Sequence, residues 1–423
     1  MPSVITRNDI EIMAPAGSRE SLMAAIQGGA DSVYFGVEKL NMRARSSDNF
    51  TVDDLPEIAA ICRENRIKSY LTLNVVMYDD EIQEMKSILE ASVKAGISAV
   101  IATDQAALVA ARDLGMEVHL STQLNISNSE SLKFYSRWAD VAVLSRELTL
   151  QQVSKIHDTI IRNDIRGPGG SLLRLEMFVH GALCMSISGK CYLSLHEYNA
   201  SANRGNCYQT CRRGYTVTDN ETGYELEIDN QYIMSPKDLC TIRFIDQIID
   251  AGARVLKIEG RARSPEYVKT VTQCYGEAAA AVADGSFGAD RVDDWMRRLE
   301  TVFNRGFWDG YYLGQRLGEW STTYGSAATK RKIYLGRVTN FFKKLSVAEI
   351  KPETGSISTG DELIFTGPTT GILEYTVTGL RDALMNEVDS APAGELCSVQ
   401  LPGLVRRSDK VFKWVDAESL RKG

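Results

Sequence analysis

Histidine is scarce in this chain, and the usual signals of membrane insertion and secretion are missing. Its 423 residues include four histidines, and no apolar run approaches the roughly 20 residues that a transmembrane helix needs. The first residues, MPSVITRNDIEIM, lack the apolar core of a secretory signal, so we expect a cytoplasmic protein with no membrane partner. The formal net charge of -7 excludes a surface coated throughout with nucleic acid, so RNA contact requires local basic patches.

The motifs of two common classes of hydrolase are also missing. His196-Glu197 is not followed by the second histidine of an HExxH zinc site, and there is no GxSxG nucleophile elbow. A Cys184–His180 dyad keeps a peptidase open as an alternative. A thiolate that binds a metal cannot also serve as the nucleophile, so this alternative and a metal site at Cys184 exclude each other.

Eight short apolar runs alternate with helical stretches between residue 10 and about residue 284. Continuous Val, Ile, Leu and Phe strands that alternate with helices predict a parallel sheet, and eight such units predict a (β/α)8 TIM-like barrel. A doubly wound open sheet is the alternative. The eight predicted strands are EIMAPA, SVYFGV, SYLTLNV, AVIATD, EVHLSTQ, VAVLSRE, LEMFVHG and RVLKIEGR.

Two segments interrupt or follow this alternation, and they define the predicted domains. The barrel spans 1–285 and carries a cysteine-rich insertion at 182–235, after the seventh strand. A helical linker at 286–331 follows. The remaining residues, 332–423, contain short strands separated by Gly, Pro and Asp turns, which predicts a small all-β barrel domain.

Polar side chains follow the ends of the predicted strands, where a TIM-like barrel holds its active site. His180, Glu259 and Arg261 are the predicted catalytic residues. For Glu259, pairing with Arg261, substrate binding and pairing with Lys257 all remain open; His180 is either an acid–base group or a support for the following loop. The predicted substrate-binding residues are Arg43, Asn74, Gln123 and Arg212.

The insertion concentrates cysteines and aromatic residues. Cys184, Cys191, Cys207 and Cys211 form the predicted metal site, because thiolates select zinc, copper(I) or iron–sulfur centres. The spacing is neither that of a zinc ribbon nor that of a compact ferredoxin, so an iron–sulfur cluster, structural zinc and no metal all remain open. Cys240 is an alternative to Cys211, although we interpret it as a buried thiol at the start of a helix. Possible RNA contacts are Arg204, Arg212 and Arg213 with Tyr192, Tyr198, Tyr208 and Tyr215.

At the cysteines the sequence resembles a known family. The string Glu176-x-Phe178-x2-Gly181-Ala182-Leu183-Cys184-x4-Gly189-x-Cys191-x-Leu193-Ser194 is similar to the signature of peptidase family U32, the collagenase-like group. The segments APAGSRESLMAAIQGGADSVYFG, NMRAR, SPKDLC and LKIEGRARSPEYV resemble further blocks of that family. The resemblance covers nearly the whole chain, including the C-terminal β domain.

The resemblance implies hydroxylation of RNA or of small molecules. Family members include prephenate-dependent tRNA uridine hydroxylation proteins, a ribosomal RNA cytidine hydroxylation protein and oxygen-independent ubiquinone hydroxylation proteins. Different subtypes place 4Fe–4S ligands at positions matching either Cys191, Cys207 and Cys211 or Cys184, Cys191 and Cys207. Because this chain has all four cysteines, the resemblance implies that all four bind the cluster, with zinc as the lesser possibility.

The C-terminal β domain is typical of the tRNA-type members, so the resemblance implies 5-hydroxylation of the wobble uridine of tRNA. Its implied partners are tRNA, prephenate or a similar small carboxylate as oxygen donor, and electron-transfer or iron–sulfur assembly proteins. A collagenase-like peptidase, ribosomal RNA hydroxylation and a non-catalytic RNA-binding module remain the alternatives.

Overall fold

The strands of the first three quarters of the chain build one closed barrel with a short extension. The computed structural model describes residues 5–45, 48–218, 220–223, 225–226, 234–314, 318–323 and 325–420. In chain order the strands are β1 (Glu11–Pro15), β2 (Ser32–Gly36), β3 (Lys68–Leu73), β4 (Ala99–Ala102), β5 (Glu117–Leu120), β6 (Val141–Val143), β7 (Arg174–Gly181), β8 (Val217–Thr218), β9 (Glu225–Leu226), β10 (Asp238–Cys240), β11 (Ala253–Ile258) and β12 (Phe307–Trp308).

Strands β1 to β7 and β11 pair side by side in parallel, and β11 pairs with both β1 and β7, which closes the barrel. The predicted TIM-like barrel is therefore confirmed, and the closure excludes the doubly wound open sheet. Beyond the barrel, β10 runs antiparallel to the end of β7, and β12 pairs with β10. β8 and β9 form a separate hairpin within the insertion.

Helices follow the strands in segments whose apolar residues recur at helical spacing. The apolar faces of these helices cover the outside of the barrel. In α3, for example, Met85, Ile88 and Leu89 face the core. The helices are α1 (Arg19–Gln27), α2 (Leu55–Glu64), α3 (Ile82–Ala95), α4 (Gln105–Asp113), α5 (Ser129–Tyr135), α6 (Leu150–Arg162), α7 (Leu193–Tyr198), α8 (Ile245–Asp250), α9 (Pro265–Asp284) and α10 (Ala289–Thr301). None of these helices of the described chain combines the length and apolar character that crossing a bilayer requires.

The C-terminal part of the chain is all-β, as predicted. Seven strands form one antiparallel sheet in the order β17-β16-β21-β13-β14-β20-β18, and β15 pairs with β19. The strands are β13 (Lys330–Phe342), β14 (Val347–Pro352), β15 (Ser356–Ser358), β16 (Glu362–Gly367), β17 (Gly371–Thr376), β18 (Arg381–Asp382), β19 (Ser390–Pro392), β20 (Cys397–Gln400) and β21 (Lys410–Asp416).

This sheet packs on the helical outside of the barrel at α1 and α9. The amide of Gln27 donates to the carbonyl of Thr370 at 2.9 Å and accepts from the backbone N–H of Ile372 at 2.9 Å. Lys269 of α9 forms an ion pair with Glu374 at 2.9 Å. Ile372 belongs to the same apolar core as the barrel helices, so the two parts share buried surface.

Candidate functional site

A cavity of about 550 Å³ lies at the C-terminal end of the barrel strands, beneath the cysteine-rich insertion. Side chains that follow β2, β3, β5, β6 and β11 form its walls together with residues of the insertion. The structure brings nine of the eleven predicted site residues to its lining, all except His180 and Cys191. The nine are Arg43, Asn74, Gln123, Cys184, Cys207, Cys211, Arg212, Glu259 and Arg261.

Glu259 and Arg43 form an ion pair in the cavity wall. Arg43 Nη2 lies 2.6 Å from Glu259 Oε1, so Glu259 pairs with neither Arg261 nor Lys257, the two partners considered from the sequence. Burial by itself would raise the pKa of Glu259, but Arg43, Arg146 and Arg261 lower it to about 2. Glu259 is thus a carboxylate at neutral pH, and it holds Arg43 in place.

Arg261 is a buried guanidinium with neutral partners. Its side chain is deep in the barrel mouth, with the residue only 5% exposed, and Nη1 donates to Asn41 Oδ1 and to Thr72 Oγ1, both at 2.9 Å. Burial lowers the pKa of Arg261 to about 10. Gly36 makes room for it, because a Cβ there would lie 2.6 Å from Nη1. A buried cation bonded only to neutral oxygens is suited to an anionic ligand.

Arg212 lines the cavity, as predicted for a substrate-binding residue, and also makes several bonds within the insertion. Its guanidinium donates to Ser235 Oγ at 2.9 Å, to the carbonyl of Pro236 at 2.7 Å and to the carbonyl of Leu183 at 2.5 Å. These bonds tie together separate turns of the insertion, and burial lowers the pKa of Arg212. Although it lines the cavity, most of its donors are occupied by protein.

Asn74 and Gln123 line the cavity and also organise the loops around it. Asn74 Oδ1 accepts from the backbone N–H of Met42 at 3.1 Å, which fixes the loop after β2. Gln123 is hydrogen-bonded through its side-chain oxygen to Ser121 Oγ. Part of the polarity of these two side chains is therefore used for loop capping, which the sequence could not separate from ligand binding.

The insertion lies against the barrel mouth through a close backbone contact. Gly205 has φ +81°, and a Cβ at this position would collide with the carbonyl oxygen of Asn41 in the loop after β2. Glycine is needed here for both the left-handed conformation and the close approach. This contact lies two residues from Cys207 and helps to hold that cysteine at the cavity.

The four predicted cysteine ligands all belong to the insertion, and three of them line the cavity. Cys184 is exposed and the other three are half-buried. Burial raises the pKa of Cys211 to about 11, Arg212 opposes this, and Cys184, Cys207 and Cys191 raise it further. The sulfur of Cys211 thus lies close enough to the other three cysteines for them to affect it electrostatically.

Within the described ranges, no three His, Cys, Asp or Glu side chains stand close enough together to hold a single metal ion. The four cysteine thiols therefore do not surround a single point. Their chemistry fits a 4Fe–4S cluster or zinc, since both centres bind thiolates.

Cys240 lies apart from this group. It is the last residue of β10, not the start of a helix, and its buried thiol packs 3.9 Å from Met296 Sδ and 3.9 Å from the Tyr275 hydroxyl. Burial raises the pKa of Cys240 to about 11. The interpretation of Cys240 as a buried thiol agrees with this position.

His180 does not line the cavity. On β7, Phe178 faces Lys257 and His180 faces Ile258, so Val179 is an extra residue and forms a β-bulge. The bulge turns His180 outward, where its ring packs against Tyr267, Tyr275 and Phe307. Burial, with a smaller effect of Arg263, lowers the pKa of His180 to about 3, so its imidazole is neutral.

Several cavity residues were not among the predicted site residues. Arg146 stacks on the ring of Phe178 at 4.0 Å and donates to the carbonyl of Ala182 at 3.2 Å.

Lys257 lines the floor of the cavity and pairs with Glu176 at 2.6 Å. Strand alternation is the signal that finds Lys257, because it lies two residues before Glu259 on the same inward face. Arg263 and Arg305 also line the cavity and lie near Asp238.

Comparison with known proteins identifies the family. The model of "Peptidase family U32" matches residues 17–322. The chain belongs to this family. The resemblance inferred from the cysteine motif is therefore confirmed.

Curated relatives of this U32 protein carry names of two kinds. A "Collagenase" of Porphyromonas gingivalis is 59% identical over 407 residues, which cover 96% of this chain and 98% of the relative. A "tRNA hydroxylation protein P1" of Bacillus subtilis is 31% identical and covers 92% of this chain and 90% of its own length. A "23S rRNA 5-hydroxycytidine C2501 synthase" of Escherichia coli is 31% identical over 74% of this chain and 47% of its own length.

Proposed function

We propose that this protein hydroxylates RNA without dioxygen, with the wobble uridine of tRNA as substrate and a small dicarboxylate such as prephenate as oxygen donor. The observation that carries the proposal is the composition of the cavity. Cysteines of the insertion and a buried guanidinium with neutral partners, Arg261, line the same space at the mouth of the barrel.

A 4Fe–4S cluster is the proposed cofactor, with Cys184, Cys191, Cys207 and Cys211 as its ligands. The electrostatic effect of Cys184, Cys191 and Cys207 on Cys211 supports this set, and the position of Cys240 in a separate buried contact argues against its taking part. When bound, the cluster would supply a centre that exchanges electrons or binds oxygen beside the substrate.

The arginines support an anionic donor. Arg261 and Arg146 bond to neutral oxygens, and Arg146 also stacks on Phe178. Arg43 is balanced by Glu259. A bound carboxylate would accept hydrogen bonds from Arg261 and Arg146, and bidentate bonds would orient it. The protein's part is to bind and orient the donor and to hold the insertion closed over it.

The surface around the mouth supports an RNA substrate, although not through the arginines first considered. Arg204 pairs with Glu81 and Arg213 with Glu197. Exposed aromatic rings remain: Tyr192 is 74% exposed, and Tyr78 is 56% exposed, although Arg204 covers one face of its ring at 3.7 Å. Such rings stack on unpaired bases. Relatives named for tRNA and rRNA hydroxylation support the same substrate class.

A collagenase-like peptidase is the second candidate, because the name of the relative from Porphyromonas gingivalis favours it. The cavity argues against it. All four histidines lie in the described part of the chain, and none lines the cavity. His180 bonds to Tyr275, while the Cys184 thiol lies 3.6 Å from Ser186 Oγ, so the nucleophile–base contact that a cysteine peptidase needs is not formed.

Nucleoside mass spectrometry of tRNA from cells lacking this gene tests the proposal. We expect 5-hydroxyuridine and its derivatives to disappear, to return with the wild-type gene and to stay absent with Cys191→Ala. A control with Cys62→Ala, a buried thiol of α2, should restore the modification. Unchanged tRNA in the deletion strain, together with cleavage of gelatin by the purified protein, would instead support the peptidase.

A further inference from the structure

The interior of the barrel below the cavity is unusually polar. TIM-like barrels fill this space mainly with branched apolar side chains. Here Glu176 and His119 are completely buried, and Lys257 is 4% exposed. The apolar part of the same interior includes Met13, Tyr34, Tyr70 and Val141. Burying ionisable groups is costly unless they are paired, so this arrangement calls for an explanation.

These groups form one hydrogen-bonded chain that begins at the cavity floor. Lys257 Nζ lies 2.6 Å from Glu176 Oε1, and Glu176 Oε2 lies 3.0 Å from His119 Nδ1. His119 Nε2 lies 3.2 Å from Glu117 Oε1. Glu117 is bonded at 3.0 Å to Arg174, which also binds Glu11 at 2.9 Å. The chain thus runs from the cavity to the opposite end of the barrel.

The three cations of this chain, Lys257, Arg174 and Lys68, balance its three carboxylates, Glu176, Glu117 and Glu11, and Lys68 Nζ lies 3.6 Å from Glu11 Oε2. A proton on His119 therefore adds one positive charge to a balanced set, and it is the proton that this chain can release. Burial opposes protonation of His119, but its hydrogen bonds to Glu117 and Glu176 outweigh it and raise the pKa. Burial would raise the pKa of Glu176, but Lys257 and His119 lower it. The titratable or charged groups around His119 are Glu11 on β1, Tyr70 on β3, Glu117 on β5, Arg174 and Glu176 on β7, and Lys257 on β11.

We propose that Lys257, Glu176 and His119 form a buried proton store for the cavity. Lys257 donates a proton to an oxygen of the bound substrate or donor; its N–H bond breaks, an O–H bond forms, and the electron pair stays on Nζ. Glu176 then passes to Nζ the proton of His119 Nδ1. When the reaction releases a proton later in the same turnover, the steps run in reverse, so the store gains and loses no net proton.

The cavity offers few other proton donors of this kind. Glu259 is ionised, as its pKa of about 2 shows, and the arginines stay charged. Tyr34 donates its hydroxyl to the carbonyl of Ile258 at 2.8 Å. The Lys257 ammonium lies 4.7 Å from the centre of the Tyr34 ring and 5.5 Å from that of Phe178, in a position to meet a ligand. The inference rests on the proposed function for the reaction that uses the proton.

The test compares two isosteric variants on either side of His119. Glu176→Gln interrupts the path to Lys257, whereas Glu117→Gln leaves the path intact but removes a carboxylate that raises the pKa of His119. With cluster-loaded protein and a tRNA transcript, we expect Glu176→Gln to lower the hydroxylation rate about 100-fold at every pH, and Glu117→Gln to lower it less and to regain rate as the pH falls and His119 is protonated again. Iron content and tRNA binding should be unchanged in both. Equal losses in the two variants would overturn the proposal.

A second measurement needs no hydroxylation. The chain has four histidines, so an NMR spectrum of the ¹⁵N-histidine-labelled wild-type protein can be assigned by single substitutions. We expect His119 to be protonated near neutral pH and its pKa to rise in Lys257→Met, which removes a neighbouring positive charge. A His119 that stays neutral between about pH 5 and 9 would overturn the store. Wild-type protein that hydroxylates no RNA would contradict the proposed function. The NMR spectrum would still show whether His119 carries the stored proton.

Discussion

The two ends of the barrel interior both bury charge, but they do so in different ways. In the lower interior each cation faces a carboxylate, as in the pairs Lys257–Glu176 and Arg174–Glu11. At the mouth, Arg261 and Arg146 hydrogen-bond only to neutral oxygens among the described residues, and they share the single carboxylate of Glu259 with Arg43. The lower interior is therefore balanced by its own ion pairs, whereas these three arginines at the mouth outnumber the carboxylate they share. This excess of positive charge supports the proposed binding of an anion at the mouth.

The largest expected effect separates the cysteines of the mouth from a cysteine buried elsewhere. We expect Cys191→Ala to lose the cluster and all hydroxylation, because it removes one of the thiolates proposed to bind the iron. Cys240→Ala, the matched control, should keep its iron. Iron and sulfide analysis of anaerobically purified protein provides the measurement. Full iron in Cys191→Ala, or its loss only in Cys240→Ala, would show that the ligand set is wrong.

A pair of arginine substitutions tests the comparison of the two ends directly. Arg261→Met should lower hydroxylation about 10- to 100-fold and leave the free energy of unfolding within about 1 kcal/mol, because no ion pair is broken. Arg174→Met should instead lower the free energy of unfolding by roughly 1–3 kcal/mol, because Glu11 and Glu117 lose a partner. Hydroxylation kinetics and urea unfolding of both variants measure these two effects. The comparison fails if both variants lose stability equally.

Two buried histidines should respond to acid in opposite directions. His180 has a folded-state pKa of about 3, so acidification below its ordinary value of 6.5 protonates only the unfolded chain and reduces stability. His180→Gln should therefore lose about 2 kcal/mol less stability than wild type between pH 7 and pH 5.

For His119 the folded-state pKa is raised, so its contribution is fully present below pH 6.5 and is lost as pH rises through the folded-state value. His119→Gln should accordingly lose more stability than wild type on acidification. Urea unfolding at the two pH values measures both variants. The same slope for both would contradict the assigned protonation states.

The smallest expected effect concerns the rim. Tyr192→Ala removes an exposed ring, and a stacked base is worth about 1–3 kcal/mol, so we expect tRNA binding to weaken about fivefold or more. Iron content and thermal stability should stay at wild-type values. Leu345→Ala, which changes an exposed apolar residue in the turn between β13 and β14, serves as control. Equal binding by both variants would remove Tyr192 from the RNA surface.

The sequence predicts the barrel and its mouth well because strand order and strand ends follow from local patterns. Arg43, Glu259 and Arg261 follow strands, so closure alone brings them together. Partner choice is different, because it depends on the register across the barrel: Glu259 pairs with Arg43, not with Arg261. His180 is misplaced by strand alternation because a single bulge at Val179 turns it outward.

The sequence does not predict other contacts of the site either, because they also depend on which residues meet in the folded chain. The sequence predicts a free cation at Arg212, but in the folded insertion its guanidinium donates hydrogen bonds to backbone carbonyls. The contacts of Glu176 with His119 and Lys257 join residues 57 and 81 positions apart. Inward-facing positions can be read from alternation on each strand, but not which of them meet inside the barrel.

The most direct test of the account uses purified protein. Cluster-loaded wild-type protein is incubated without dioxygen with a tRNA transcript and prephenate, and 5-hydroxyuridine is quantified by mass spectrometry, with Arg261→Met in parallel. The account predicts product with wild-type protein and about 10- to 100-fold less with Arg261→Met at equal iron content. Product at the same rate in both proteins, or none with fully loaded wild-type protein, would contradict it.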